Sequence, residues 1–156
     1  MDYNKFLQKI NAEIIAQYPD ARLYEIHGKV VPGNEGGYNV CRGAEIAFGL
    51  SDGSLVCTIN DDNETYTIEK HGSPWVEDRP ITPYLPSLGN AIKAIEKAGY
   101  SVSSPRVTLR HQLFITNIEP QYIISENGYR FFVGVWSGEL IVEKTRPSRG
   151  MLKTED

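Results

Sequence analysis

Few residues in this chain have types and spacing suited to chemistry, and most of those have a structural reading. Gly49-Leu50-Ser51-Asp52-Gly53 fits the Gly-x-Ser-x-Gly pattern of a nucleophile elbow, which needs a strand, a sharp turn and then a helix to expose the serine. The residues that follow, Ser54-Leu55-Val56-Cys57-Thr58-Ile59, alternate as a strand, so the pattern predicts a hairpin turn with Ser51 as a turn residue. His27, His71 and His111 lack the short spacing of a metal site. His111 falls on the apolar phase between Leu109 and Leu113, where a histidine can be a tuned acid or base but is more commonly a core residue hydrogen-bonded to a neighbour. The run Asp61-Asp62-Asn63-Glu64 offers oxygen ligands yet lacks the alternation and central glycine of a calcium loop, which predicts a solvated turn. No phosphate-cradling glycine motif occurs. The expectation is no catalytic residue, no metal and no cofactor.

What remains are groups suited to binding. Arg106 and Arg110 share one side of a predicted strand, with Arg130 on another strand and Lys93 and Lys97 on a helix, a set that could meet an acidic partner. Tyr129, Phe132 and Trp136 could form an exposed aromatic patch if their sheet face is uncovered. Trp75 and Tyr84 lie in a proline-rich bridge, where aromatics usually cover a core or line a rim. The candidate binding residues are therefore Trp75, Tyr84, Arg106, Arg110, Tyr129 and Trp136.

The elements that position these groups follow from periodicity. Tyr3, Leu7, Ile10, Ile14 and Tyr18 recur every three or four residues, which predicts a helix capped by Asp2 and stopped by Pro19. In 22–30, Tyr24, Ile26 and Val30 alternate with Leu23, Glu25, His27 and Lys29 as a half-buried strand. The glycine-rich stretch 32–37 reads as a flexible connection. Ile46, Phe48 and Leu50 run into Asp52-Gly53, and Leu55, Cys57 and Ile59 return from it, with a third strand at Tyr66 and Ile68. Pro74, Pro80, Pro83 and Pro86 exclude a helix or central strand between them. Ser87 caps a second helix with Leu88, Ala91, Ile92, Ile95 and Ala98 on its apolar face and Gly99 at its end. Val107, Leu109, Leu113 and Ile115 predict the next strand, followed by strands at 121–125, 129–136 and 139–143 joined at Asn127-Gly128 and Ser137-Gly138.

The fold class predicted is α+β: two halves, each a helix then an antiparallel meander, with helices packed on one face of the sheet. The divisions are 1–72 for the first half, 73–86 for the bridge, 87–144 for the second half and 145–156 for a flexible tail. The segments 44–56 and 129–141 share a strand, glycine turn and strand, which suggests a tandem repeat.

With 156 residues, 40% of them hydrophobic and 23% charged, the chain can bury a core and is expected to fold as a compact soluble protein. A net charge of −4 gives no overall drive toward nucleic acid or an anionic membrane. The amphipathic opening predicts no signal peptide, and with it a cytoplasmic location. Cys41 and Cys57 are expected as reduced thiols in neighbouring strands, a single disulfide being the alternative.

The second half resembles the PepSY domain, a small module of a helix on an antiparallel sheet. The resemblance rests on the helix Ala91-Ile92-Lys93-Ala94-Ile95-Glu96-Lys97-Ala98-Gly99, the strand Pro105-Arg106-Val107-Thr108-Leu109, and the ending from Pro120-Gln121-Tyr122 through Asn127-Gly128 to Phe132-Val133-Gly134-Val135-Trp136-Ser137-Gly138-Glu139-Leu140-Ile141. It covers roughly 86–142, and Gly134 stands where that family commonly has an Asp. The tandem plan is also similar to the beta-lactamase inhibitor proteins. Both resemblances imply a binding, inhibitory or regulatory module whose partner is another protein, with a homodimer left open. The rival expectation is a small enzyme or ligand binder with a pocket between the halves near His111.

Overall fold

The computed structural model describes residues 2–62, 64–75, 79–81, 87–111 and 119–145. Tyr84, Leu113, Ile115 and the tail beyond 145 lie outside them. The described residues form two helices and a nine-stranded antiparallel sheet. Helix α1 (Tyr3–Gln17) begins where Asp2 Oδ1 accepts the N–H groups of Asn4 at 3.0 Å and Lys5 at 3.1 Å, satisfying donors that the helix leaves unpaired. Helix α2 (Leu88–Lys97) has Ser87 at the capping position, but the serine side chain makes no capping bond. Its far end closes with the Tyr100 N–H donating to Ile95 O at 3.2 Å.

The strands are β1 (Arg22–Pro32), β2 (Tyr38–Val40), β3 (Glu45–Leu50), β4 (Gly53–Ile59), β5 (Tyr66–His71), β6 (Arg106–Arg110), β7 (Gln121–Glu126), β8 (Tyr129–Gly134) and β9 (Leu140–Lys144). Their order across the sheet is β5-β4-β3-β1-β6-β7-β8-β9, with β2 paired to β1. Strands β1 and β6 meet antiparallel at the centre, and the later strands step outward from each. The two similar hairpin segments thus hold different sheet positions: β3 and β4 are second and third from the centre, β8 and β9 third and fourth. The stretch 32–37 is a tight connection containing a 3-10 turn at Asn34–Gly36, from which β2 folds back on β1. At the β7–β8 turn Asn127 has φ 52° and Gly128 φ 80°, the left-handed pair that such a two-residue hairpin requires.

Alternation of side chains along the strands divides the sheet into two faces. On the apolar face, Ile68, Cys57, Ile46, Ile26, Leu109, Tyr122, Val133 and Leu140 are successive cross-strand partners. Together with Phe6, Ile10 and Ile14 of α1 and Leu88, Ile92 and Ile95 of α2 they belong to one hydrophobic cluster. The Tyr3 and Tyr122 rings lie 6.4 Å apart, and burial raises the pKa of both phenols. In β1 the buried set is Leu23, Ile26 and Val30 rather than one that includes Tyr24. A register shift between Leu23 and Glu25 inserts Tyr24 as an extra residue and breaks the alternation. Cys57 is buried in β4, and Cys41 follows β2, so the two thiols are free and not in neighbouring strands.

Candidate functional site

The second face of the sheet carries the polar and charged side chains. Its most distinctive feature is one register row, Lys29 on β1, Arg106 on β6, Ser125 on β7, Arg130 on β8 and Glu143 on β9. Lys29, Arg106 and Arg130 are all exposed, so the row holds three cations and one carboxylate. Only Arg130 has its counter-charge in the row, with Glu143 Oε1 at 3.6 Å from its Nη1. Lys29 and Arg106 stand directly opposite one another on the two central strands. Like charges in that relation destabilise a sheet. The nearby Glu126 is committed elsewhere, accepting the N–H groups of Ser103 at 2.7 Å and Ser104 at 2.9 Å.

The adjoining row runs His27, Thr108, Ile123, Phe132 and Ile141. His27 Nδ1 and Thr108 Oγ1 are 3.1 Å apart. Ile123 and Phe132 are half-buried, and Ile141 is 51% exposed on the outermost strand. The apolar part of this row thus lies beside Ser125, Arg130 and Glu143, two residues away along each strand and roughly 7 Å, while Lys29 and Arg106 have His27 and Thr108 beside them.

The rest of this face is different. Arg110 Nη1 lies 3.6 Å from Glu25 Oε1, an ion pair with side chains 31% and 21% exposed. Ala47, Ser54 and Gln121 are buried there. Ser54 Oγ donates to Ser73 O at 2.9 Å, and the Ile81 N–H donates to Leu23 O at 2.8 Å, so described parts of the bridge run past this end of the sheet. Trp75 lines a cleft of about 380 Å³ with Asp20, Arg22, Tyr24, Gly49, Leu50, Ser51 and Pro74.

Of the residues singled out from sequence, Arg106 belongs to the exposed cationic row and Arg110 to the partly covered end of the same face. Trp75 lies with Tyr24 in its separate cleft, and Tyr84 is outside the described residues. Tyr129 is on the apolar face, its ring 5.3 Å from Tyr100 and 5.9 Å from Phe131, whereas Phe132 takes the opposite side. Trp136, 56% exposed, occupies the β8–β9 turn. Lys29 was not among the sequence candidates, although its outward phase in β1 was visible.

Carboxylates shape the turns around this face. Glu119 Oε1 accepts the N–H groups of Trp136 at 2.7 Å and Ser137 at 2.9 Å. Desolvation disfavours its charge, but bonds from Ser137 and Trp136 outweigh that and hold its carboxyl below the usual value. A Cβ on Gly134 would press against Ser137 Oγ and come within 2.7 Å of Glu119 Oε2. The space an Asp would need at 134 is filled by this carboxylate.

The nucleophile-elbow sequence is a hairpin turn between β3 and β4. Asp20 Oδ2 accepts both the N–H of Ser51 at 2.8 Å and its hydroxyl at 2.6 Å, which lowers the Asp20 pKa. The acidic run is likewise a turn, in which Asp62 Oδ1 accepts the N–H groups of Glu64 and Thr65 at 2.9 Å. Among the described residues no group of three or more His, Cys, Asp or Glu could hold a metal ion. His111 follows β6 and is half-buried. Two further clefts lie between Arg42 and the turn at Asn60 to Asp62, and between the starts of α1 and α2, and His111 lines none of the three. No described helix is long and apolar enough to cross a membrane.

No family model matches the chain, and no curated protein matches its sequence. A solved structure similar in fold is from Clostridium difficile 630 and titled a "putative lipoprotein". It has a TM-score of 0.55 at 12% identity, covering 92% of this chain and 98% of that one.

Proposed function

We propose that this protein is a non-enzymatic binding module, of inhibitory or regulatory type, that engages another protein through the polar face of its sheet. In this reading the chain comprises two helix-and-meander halves joined at β1 and β6, with both helices on the apolar face. The PepSY-like features of the second half agree with it. The observation that carries the proposal is the apolar stretch of half-buried Ile123 and Phe132 ending at exposed Ile141, set beside exposed cations on a face that the described helices do not share a core with. Exposed apolar groups in a charged frame suit a protein interface.

The test places a photo-reactive residue at Ile141, and separately at Ile15, an exposed apolar position on α1 with 41% exposure. Illumination in a native extract is expected to give discrete protein adducts from 141 that Phe132→Ser removes. Adducts from 15 alone would overturn the proposal.

A further inference from the structure

The cationic row has a cost that the fold itself does not explain. Lys29 and Arg106 are exposed, mutually opposed on the central strands, and have no counter-ion among the described residues. Arg130 adds a third cation in the same row, two strands beyond Arg106 and thus roughly 10 Å away. This concentration occurs in a chain of net charge −4, so it is a local feature set against the overall balance. A residue pair that strains the free protein and could be neutralised by a ligand is the expected form of a charge-complementary site.

We infer that the polar face receives an acidic segment of the partner protein, whose carboxylates lie over Lys29, Arg106 and Arg130 while its apolar side chains cover Ile123, Phe132 and Ile141. This rests on the protein-binding reading above and names the partner's chemistry. The two rows decide between classes of anion. A nucleic acid or an anionic bilayer offers a broad uniform negative surface, which would also be pressed against Glu45 and Glu143 on the same face and would feel the chain's overall negative charge. A segment that carries both carboxylates and apolar residues matches the cations of one row together with Ile123, Phe132 and Ile141 of the next.

The test uses the full chain and a labelled synthetic peptide alternating Glu with Leu, followed by fluorescence anisotropy. Its counterpart replaces every Glu with Gln; duplex DNA and phosphatidylserine-containing vesicles are the other probes. The Glu peptide is expected to bind at least about tenfold more tightly than the Gln peptide, a preference that shrinks with added salt. Arg106→Gln should remove most of it and Arg106→Lys keep most of it, with circular dichroism confirming that both variants fold. Equal binding of the Glu and Gln peptides, or no binding of either, overturns the acidic partner. So does tighter binding of DNA or vesicles. Adducts at Ile141 combined with that result would leave protein binding standing and remove only the acidic chemistry. Adducts at Ile15 alone would remove both.

Discussion

Lys29→Glu should make the protein more stable while weakening its interaction with an acidic partner. Lys29 and Arg106 are directly opposed, with Cβ atoms roughly 5 Å apart in such a pair. With the charges about 7 Å apart in water, Coulomb repulsion is about 0.6 kcal/mol. The substitution replaces that repulsion with an attraction of similar size, a gain of roughly 1 kcal/mol. The chain becomes two charges more negative than −4, which opposes the gain. Charges beyond about 8 Å are largely screened at physiological salt, however, so the nearest pair decides the sign. With a urea m-value of about 2 kcal/mol per molar, the unfolding midpoint should rise by roughly half a molar at low salt. The rise should diminish in strong salt. A midpoint that falls, or does not move at low salt, would refute the claim that the opposed cations are a strain within the fold.

Three other outcomes follow from the geometry. Gly134→Asp should destabilise by roughly 1–3 kcal/mol, because the new side chain collides with Ser137 Oγ and the Glu119 carboxylate; urea denaturation measures it, and an unchanged midpoint would contradict the packing. Glu119→Gln should cost about 1 kcal/mol, as a lost charge-assisted cap does. Because the folded carboxyl of Glu119 titrates below the unfolded one, its contribution is present above the ordinary value of 4.5 and is lost as the pH falls through the lower folded value. The Gln variant should therefore lose less stability on acidification than the wild type, and parallel acid curves would count against the cap. Burial pushes the Cys57 thiol up to about 12, so a thiol reagent at neutral pH should modify half-buried Cys41 first, with Cys57 reacting only on unfolding. Equal labelling by mass spectrometry would contradict that environment.

The sequence was informative where the signal is local. The α1 stripe, the Asp2 cap, the Asn127-Gly128 turn and the apolar face of α2 all depend on residues a few positions apart, and each occurs where spacing placed it, while the β3–β4 turn falls one residue before Asp52-Gly53, at Ser51 and Asp52. Tyr24 misled because a bulge inserts one residue without altering the composition of the strand. Strand β2 is short and follows a glycine-rich turn, so it had no periodicity to read. The cationic row was partly legible: Arg106 was evident on a strand face, whereas Lys29 is its neighbour only through the β1–β6 pairing, which joins residues far apart in the chain. Alternation also distinguishes Phe132 from Tyr129 and Phe131, but which face is covered depends on packing that no single strand encodes.

Protein NMR of the isotopically labelled full chain, titrated with the alternating Glu–Leu peptide, would locate the acidic-segment site residue by residue. Backbone shifts are expected to concentrate at Lys29, Arg106, Thr108, Ile123, Phe132 and Ile141, with the α1 and α2 amides little changed. Shifts concentrated on the helices or around the Trp75 cleft, with the polar face unmoved, would contradict it.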